Sequence, residues 1–248
     1  MLSQSEIRSL EQLYPDLKVK EEEGGTFLEG KLKFRALFDN SKNELIIDQN
    51  IICPSNEYLI TDEFNIEIEI KDKSLFPLPL VREIGGRIQR IIESKNISDK
   101  KDLHINPDGT ICLCAKLEEK LRFPNGSDII TFLNQLVVPF FYCLSYYNKN
   151  NVWPWGQRSH GNAGIFESYL EYRSTQGVDK KMLDSYLVAS PPFILTEKSK
   201  EYLRRKNDIK GHWDCICDSR LQFRACHKEA LEGMRLFKKD LASLSLKV

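Results

Sequence analysis

Two stretches in the first third of the chain alternate apolar and polar side chains from one position to the next. The apolar members are Leu32, Phe34, Ala36 and Phe38 in the first stretch and Phe64, Ile66, Ile68 and Ile70 in the second. Because successive side chains of a strand point to opposite faces of a sheet, this pattern predicts two strands, each with one buried face. Further strands are predicted at residues 44–52 and 80–84. Strands that follow one another so closely favour an antiparallel meander.

Helical patterns lie on either side of the predicted sheet. Residues 5–13 have the spacing of a helix with one apolar face, and Ser5 is the predicted cap. After Ser127, the next predicted cap, a long apolar helix is interrupted by Pro139, which should kink it. The wide apolar surface of this helix implies that it packs across the sheet. A further helix is predicted at about residues 164–172.

Length and composition fit one core domain with an appendage. The chain has 248 residues, of which 41% are hydrophobic and 29% charged, so it can bury a core. We predict an α+β domain over residues 1–175 and a helical extension over residues 176–248. The first residues lack the apolar segment of a signal peptide, and no run approaches the roughly 18 apolar residues of a membrane span. A cytoplasmic protein without a membrane partner is therefore expected.

The charge balance favours no class of charged partner. Lys plus Arg and Asp plus Glu both number 36, so the net charge creates no field that attracts nucleic acid or an anionic membrane. Residues 197–240 contain 12 basic and 8 acidic residues, a local excess of +4 that is typical of a solvated surface. We therefore expect no nucleic-acid partner.

Residues 104–114, called the Cys112 loop below, place a cysteine shortly after a predicted turn. Pro-Asp-Gly at residues 107–109 is a turn, and Cys112 follows it, with His104 and Asn106 close by. A thiolate on an exposed loop suits acyl transfer, and a nearby amide can stabilise the oxyanion that forms. Alternatively, Cys112 is a small buried hydrophobe between two apolar neighbours, as free cysteines often are.

The Cys112 loop resembles the active-site segment of ubiquitin-conjugating enzymes, in which His-x-Asn precedes Gly-x-Ile-Cys-Leu. The matching residues are His104, Asn106, Gly109, Ile111, Cys112 and Leu113. The order of parts over residues 1–172 is also similar to that family: an amino-terminal helix, a strand meander, a proline-rich element at 76–79, the cysteine loop and a long helix. The resemblance implies a ubiquitin-conjugating (UBC-like) fold for residues 1–175.

That resemblance also implies a reaction and its partners. Cys112 would accept a ubiquitin-like modifier as a thioester from an activating enzyme and pass it to an amine of a protein target. Asn106 would donate to the oxyanion, and His104 would hold the loop by hydrogen bonding. The spacing from Asn106 to Cys112 is shorter than in the eukaryotic enzymes, and a charged insertion at residues 85–103 precedes the histidine. This compact form is more similar to bacterial relatives encoded in antiphage operons, which implies a role in antiviral defence.

A tryptophan-rich segment at residues 152–161 and a second cysteine in the loop are further candidates. His160 of this segment would act by lying near Cys112, lowering the pKa of the thiol or deprotonating the incoming amine. In the alternative, the segment is a packed loop and His160 caps a helix. Cys114 is expected to be structural rather than a second nucleophile.

Three thiols and an imidazole lie within thirteen residues near the carboxy terminus: Cys215, Cys217, Cys226 and His227. Four such ligands complete the tetrahedral shell of a structural zinc ion. The alternative, reduced cysteines scattered in a helical tail, would leave several exposed thiols open to oxidation. The spacing resembles the SEC-C zinc motif, which implies a small zinc knuckle that docks a protein partner.

Two functions without catalysis also remain open. One is a relative that keeps the fold and binds a modifier or another protein, with the knuckle as an anchor. The other is a nucleic-acid-binding module built on the knuckle, which the small local charge excess supports weakly. The cysteine in the matched motif favours the conjugating enzyme over both.

Overall fold

The computed structural model describes residues 2–23, 25–52, 58–70, 78–114, 118–124, 126–155, 159, 161–187, 195–217 and 219–248. The chain divides into two compact units, residues 1–114 with 122–156 and residues 115–121 with 157–248. The observed division between residues 156 and 157 therefore lies before the predicted boundary at residue 175. The reason is that the helix Gly161–Gln176 packs against the helix Lys228–Ser243 of the second unit.

The first unit contains an antiparallel sheet and several helices. Its elements are α1 (Gln4–Leu13), β1 (Leu17–Glu22), β2 (Gly25–Asp39), β3 (Glu44–Ile47), β4 (Leu59–Ile70), β5 (Leu80–Glu83), α2 (Arg87–Ser94) and a 3-10 helix (Lys100–Leu103). After α3 (Glu119–Arg122), at the division of the chain, come α4 (Ile129–Phe132), a π-helical turn (Leu133–Val137) and α5 (Val138–Asn150). β2 pairs with β4 along its length, β1 and β3 share the other edge of β2, and β5 pairs with β4. The predicted α+β class with an antiparallel sheet packed on helices is confirmed.

The buried face of the sheet is the predicted one. Leu32 lies opposite Phe64 in the register of β2 and β4, and both side chains are almost fully buried. The ring of Phe64 contacts that of Phe141 in α5, with 4.5 Å between the ring centroids. The long apolar helix therefore covers this face, as its wide apolar surface predicted. Burying such a layer of large side chains supplies most of the stability of a unit of this size.

In the sheet region one predicted strand is shorter than expected, one observed strand was not predicted, and one predicted element is described only in part. The strand predicted at residues 44–52 ends at Ile47, because the carboxylate of Asp48 accepts the backbone N–H of Asn50 and turns the chain. β1 was not predicted, since only Leu17 among its six residues is buried and the alternation is weak. Of the predicted proline-rich element, residues 76 and 77 lie outside the described residues, and 78–79 lead directly into β5.

Both predicted helix caps are one or two residues away from the observed ones. Ser3, rather than Ser5, caps α1: its hydroxyl accepts the N–H of Glu6, whose carboxylate accepts the N–H of Ser3. Asp128, rather than Ser127, caps α4 by accepting the N–H of Thr131 at 2.7 Å. Serine and aspartate are equally good caps, so neighbouring candidates cannot be separated by residue type.

The long helix continues through Pro139. The five residues before α5 form a π-helical turn, in which the N–H of Val138 donates to the carbonyl of Leu133. The wider turn takes the chain past Pro139, which has no N–H to donate, without ending the helix. The combined helix, Ile129–Asn150, has the length and composition of a membrane span, contrary to the expectation that no run would, and 72% of its apolar window is buried.

An ion pair ties the insertion helix α2 to the sheet. Arg87 makes a two-pronged contact with the carboxylate of Asp62 in β4 and lies 4.2 Å from the ring centre of Phe64. Ser145 of α5 donates to the same carboxylate at 2.6 Å. Burial acts to raise the pKa of Asp62, but the hydrogen bonds from Arg87 and Ser145 outweigh it and lower this pKa below its usual value.

We expect Asp62→Asn to lower the stability of the first unit by about 2 kcal/mol at pH 7, because charge-assisted hydrogen bonds are lost. The folded-state pKa of Asp62 is lowered, so its stabilising effect is complete above the unfolded value near 4 and is lost as the pH falls further. The difference between Asp62→Asn and the unaltered protein, measured by hydrogen exchange of sheet amides, should therefore shrink as the pH falls below about 4. Glu63→Gln, which breaks an exposed pair with Lys31, is the matched control and should cost less than about 0.5 kcal/mol. A difference that stays constant with pH would contradict this account.

The second unit is helical and has its own core. Its elements are α6 (Gly161–Gln176), α7 (Lys180–Leu187), α8 (Glu197–Arg204), α9 (Phe223–Cys226) and α10 (Lys228–Ser243). The helix predicted at residues 164–172 lies within α6. Phe166 and Tyr169 of α6 both meet Phe237 of α10 edge to face. The buried side chains of α10 that complete this core are Ala230, Leu231, Met234, Phe237 and Leu241.

Candidate functional site

The Cys112 loop is a short hairpin that is attached to the edge of the sheet. Ile105 and Ile111 form an antiparallel bridge, and the N–H of Cys112 donates to the carbonyl of His104 at 2.8 Å. The N–H of Ile111 donates to the carbonyl of Val81 in β5, also at 2.8 Å. Both isoleucine side chains are buried. The residue before Cys112 is thus fixed by a backbone hydrogen bond to the sheet and by burial in the core.

The tip of the hairpin is a tight turn over residues 106–109. The N–H of Gly109 donates to the carbonyl of Asn106 at 3.0 Å, with Pro107 in the second position. Gly109 has φ +82°, a backbone conformation that residues with a side chain rarely adopt. The predicted Pro-Asp-Gly turn is confirmed.

Cys112 is half-buried, so it is not the fully buried hydrophobe of the alternative interpretation. Its thiol lies 3.7 Å from the carbonyl oxygen of Cys114, which is also half-buried. Cys143 in α5 shows the contrast, since it is buried and its burial raises the pKa of its thiol well above the usual value. Cys112 and Cys114 thus both lie on the loop and retain access to solvent, whereas Cys143 does not.

Asn106 is held by other polar groups of the same hairpin. Its amide donates to the hydroxyl of Thr110 at 2.9 Å, and that hydroxyl donates to the carboxylate of Asp108 at 2.7 Å. Hydrogen bonds from Thr110 lower the pKa of Asp108. Asn106 pairs with Thr110, one step closer to the tip than the bridge of residues 105 and 111, whereas Cys112 lies one step on the other side. The predicted oxyanion donor is therefore a diagonal neighbour of Cys112.

His104 contacts Cys112 through its backbone. It follows the 3-10 helix Lys100–Leu103 with φ +58°, in the left-handed region, and its N–H donates to the carbonyl of Lys101. The carbonyl of His104 accepts the N–H of Cys112, while its ring meets the ring of Trp153 nearly at a right angle, 5.8 Å between centroids. Trp153 belongs to the tryptophan-rich segment, and its contact with His104 was not predicted. His160, the other candidate in that segment, lies outside the described residues.

The second unit brings together the four predicted metal ligands, called the thiol–imidazole cluster below. The ligand atoms of Cys215, Cys217, Cys226 and His227 all lie within 4.8 Å of one another. Nδ1 of His227 is 3.2 Å from the sulfur of Cys215 and 3.1 Å from that of Cys226. The sulfurs of Cys217 and Cys226 are 3.4 Å apart. A tetrahedral zinc shell has ligand–ligand separations of about 3.5–3.8 Å, so the donor set and its size fit such an ion.

Local structure explains how these ligands converge. Asp214 and Gln222 form an antiparallel bridge, and the N–H of Cys215 donates to the carbonyl of Leu221 at 2.7 Å, which folds residues 213–223 into a knuckle. The one-turn helix α9 then brings Cys226 back to the knuckle, and His227 precedes α10. Two ligands thus come from the knuckle, Cys226 ends α9, and His227 is the cap residue of α10.

The cluster is packed against α8. Tyr202 donates to the carbonyl of Asp214 at 3.0 Å, and Lys198 donates to the carbonyl of Cys215 at 2.6 Å. Burial raises the pKa of Cys215. Burial acts in the same direction on Cys217, but hydrogen bonds with Ser219 oppose it, and the pKa of Cys217 is lowered.

Each unit therefore has one candidate site. The first presents a half-buried thiol on a hairpin fixed to the sheet. The second presents a compact set of four ligands, with the Ser219 hydroxyl 3.0 Å from the sulfur of Cys217 and 3.1 Å from that of Cys226. No protein-family model, no curated protein and no solved structure matches the chain.

Proposed function

We propose that the chain is a ubiquitin-conjugating-type enzyme that carries a ubiquitin-like modifier as a thioester on Cys112. The observation that carries the proposal is the half-buried thiol of Cys112, held in a hairpin together with Asn106 and His104. Those three residues are among the six that match the motif of ubiquitin-conjugating enzymes. The proposed partners are an activating enzyme, the modifier and a protein target.

The order of structural elements supports a UBC-like fold for the first unit. An amino-terminal helix precedes an antiparallel sheet, the cysteine loop follows the edge strand β5, and a long helix then covers the sheet. The insertion α2 and the 3-10 helix lie between β5 and the loop. The compact motif supports assignment to the bacterial branch, with a role in antiviral defence and a cytoplasmic location.

The chemistry needs two acyl transfers. First, the Cys112 thiolate attacks the thioester that joins the modifier to the activating enzyme, a new carbon–sulfur bond forms, and the thiolate of the activating enzyme leaves. Second, a neutral target amine attacks the same carbonyl carbon, Cys112 leaves as a thiolate, and the amine gives up its proton to a base or to water. Asn106 donates to the oxyanion in each tetrahedral intermediate, and the activating enzyme supplies the energy from ATP.

For the second unit we propose a structural zinc ion in the thiol–imidazole cluster, in an SEC-C-like knuckle. Four protein ligands close the tetrahedral shell, so a bound ion has no open position for a substrate. Zinc supplies charge neutralisation for the thiolates and a cross-link between the knuckle and α10. The knuckle serves as a docking module for a protein partner.

The proposal is tested by incubating the protein with ATP, an activating enzyme and a ubiquitin-like modifier. We expect an adduct that reductant removes, because thiols displace thioesters readily. Cys112→Ala should abolish it, and Cys112→Ser should give an oxygen ester that survives reductant. Cys114→Ala, which removes the neighbouring thiol, is the matched control and should leave the adduct in place.

Two outcomes would overturn the proposal. One is an adduct that persists in Cys112→Ala, which would move the acceptor to another residue. The other is the absence of any adduct although the activating enzyme has itself been charged with the modifier. Binding of the modifier without transfer would then favour the alternative function, a non-catalytic binding module.

A further inference from the structure

A column of side chains connects the insertion before the Cys112 loop with the loop itself. Nζ of Lys95 lies 5.6 Å from the ring centre of Tyr147 and donates to Oδ1 of Asn151 at 2.5 Å. The ring of Tyr147 stacks on that of Trp153, with centroids 5.0 Å apart and planes 19° from parallel. The edge-to-face contact of Trp153 with His104 completes the column. We call these four residues, Lys95, Tyr147, Trp153 and His104, the aromatic column.

The members of the column come from three separate segments of the first unit. Lys95 ends α2 in the insertion, and Tyr147 lies in the last turn of α5. Asn151 ends α5 with φ +60°, its N–H donating to the carbonyl of Tyr147, and this turn directs the chain back to Trp153. The contacts are of the cation–π, stacked and edge-to-face kinds that contribute stabilisation beyond simple burial.

The column ends on the residue that sets the backbone of Cys112. His104 has φ +58°, which is uncommon for a residue with a side chain and persists only when surrounding contacts hold it. In that conformation its carbonyl accepts the N–H of Cys112. The contact with Trp153 that holds the ring of His104 therefore also fixes the main chain that carries the thiol.

We propose that Trp153 is a positioning residue for Cys112, acting through His104, and that the insertion residue Lys95 supports it from the other side. The inference rests on the proposed function in taking Cys112 as the reacting group. Without Trp153 the hairpin samples other conformations, so the thiol is more often open to small reagents and less often placed for acyl transfer. The insertion at residues 85–103 thereby has a role in the site.

The test measures the alkylation rate of each cysteine by iodoacetamide in the full chain, followed by peptide mass spectrometry. Trp153→Ala should raise the rate at Cys112 about fivefold, and Trp153→Phe, which keeps an aromatic face, should restore it. Trp155→Ala is the matched control, because Trp155 stacks on Tyr142 and packs against Phe38, two residues outside the aromatic column. Buried Cys143 should stay unreactive throughout and reports any unfolding.

Unchanged alkylation of Cys112 in Trp153→Ala, an equal increase in Trp155→Ala, or failure of Trp153→Phe to restore the rate would each overturn the inference. If Cys143 becomes reactive in Trp153→Ala, that variant is unfolded and His104→Asn is used in its place. Asparagine removes the ring but tolerates the left-handed backbone. That variant should also raise the Cys112 rate, and no increase would overturn the inference. Adduct formation, measured in parallel, should fall about tenfold in Trp153→Ala. Alkylation needs no modifier, so it decides the positioning role even if no adduct forms.

Discussion

Treatment of the protein with a strong zinc chelator under reducing conditions is expected to unfold the second unit and to leave the sheet of the first unit folded. The thiol–imidazole cluster joins the knuckle to the start of α10, and Cys215 is itself part of the buried core of this unit. Zinc binding to small structural sites contributes about 10–16 kcal/mol, as much as the whole stability of a typical domain. The free energy lost with the ion should therefore exceed the stability that the packing of the helices alone provides.

Hydrogen exchange followed by mass spectrometry distinguishes the two units. After chelation, amides of residues 213–243 should lose protection, while those of the paired strands β2 and β4 should keep it. The untreated protein should contain about one equivalent of zinc. Cys215→Ser should lose the metal, and Cys114→Ser, a cysteine outside the cluster, should retain it. Purified protein that is free of metal and yet fully protected over residues 213–243 would refute the zinc proposal.

Replacement of Gly233 by alanine is expected to destabilise the second unit by about 2–3 kcal/mol, although alanine is the better helix former. A Cβ atom at Gly233 in α10 would lie 2.0 Å from the carbonyl oxygen of Phe166 in α6. That neighbour is backbone, so it cannot move without shifting α6. The favourable change in helix propensity, about 1 kcal/mol, is too small to offset the separation of two packed helices.

The free energy of unfolding should be measured from hydrogen exchange of the α6 and α10 amides. Glu232→Ala, at the neighbouring exposed position, is the control and should change stability by no more than about 0.5 kcal/mol. The shift of α6 should also weaken the pairing of Arg173 with Asp240, whose atoms lie 2.6 Å apart at the same interface. A stabilised Gly233→Ala variant would show that the close approach of the two helices is not needed for folding.

Much of the fold could be predicted because the relevant signals are local. The alternation at residues 32–38 and 64–70 follows from the geometry of a strand, so it identified the buried face of the sheet before any pairing was known. The thiol–imidazole cluster was equally accessible, because its four ligands lie close together in the sequence and a knuckle brings them together. The turn that precedes Cys112 followed from Pro107 and Gly109 in the same way.

Other features had no local signal. β1 exists as a strand because it pairs with β2, and its own exposed residues resemble a loop. The position of Trp153 against His104 depends on where α5 ends and how the chain turns at Asn151. Trp153 and His104 are about fifty positions apart in the chain, and residue type alone does not specify a contact between them.

The sequence by itself determined which side chains form the buried face of the sheet, which four residues form the thiol–imidazole cluster, and that Cys112 follows a tight turn. Only the tertiary structure decided that α6 belongs with α10 rather than with the sheet, and that a column of aromatic side chains reaches His104. The physical reason is how far apart along the chain the interacting residues lie. Periodicity, turns and neighbouring ligands are fixed by short stretches of backbone, whereas the partner of a buried helix or ring is decided by packing between distant segments.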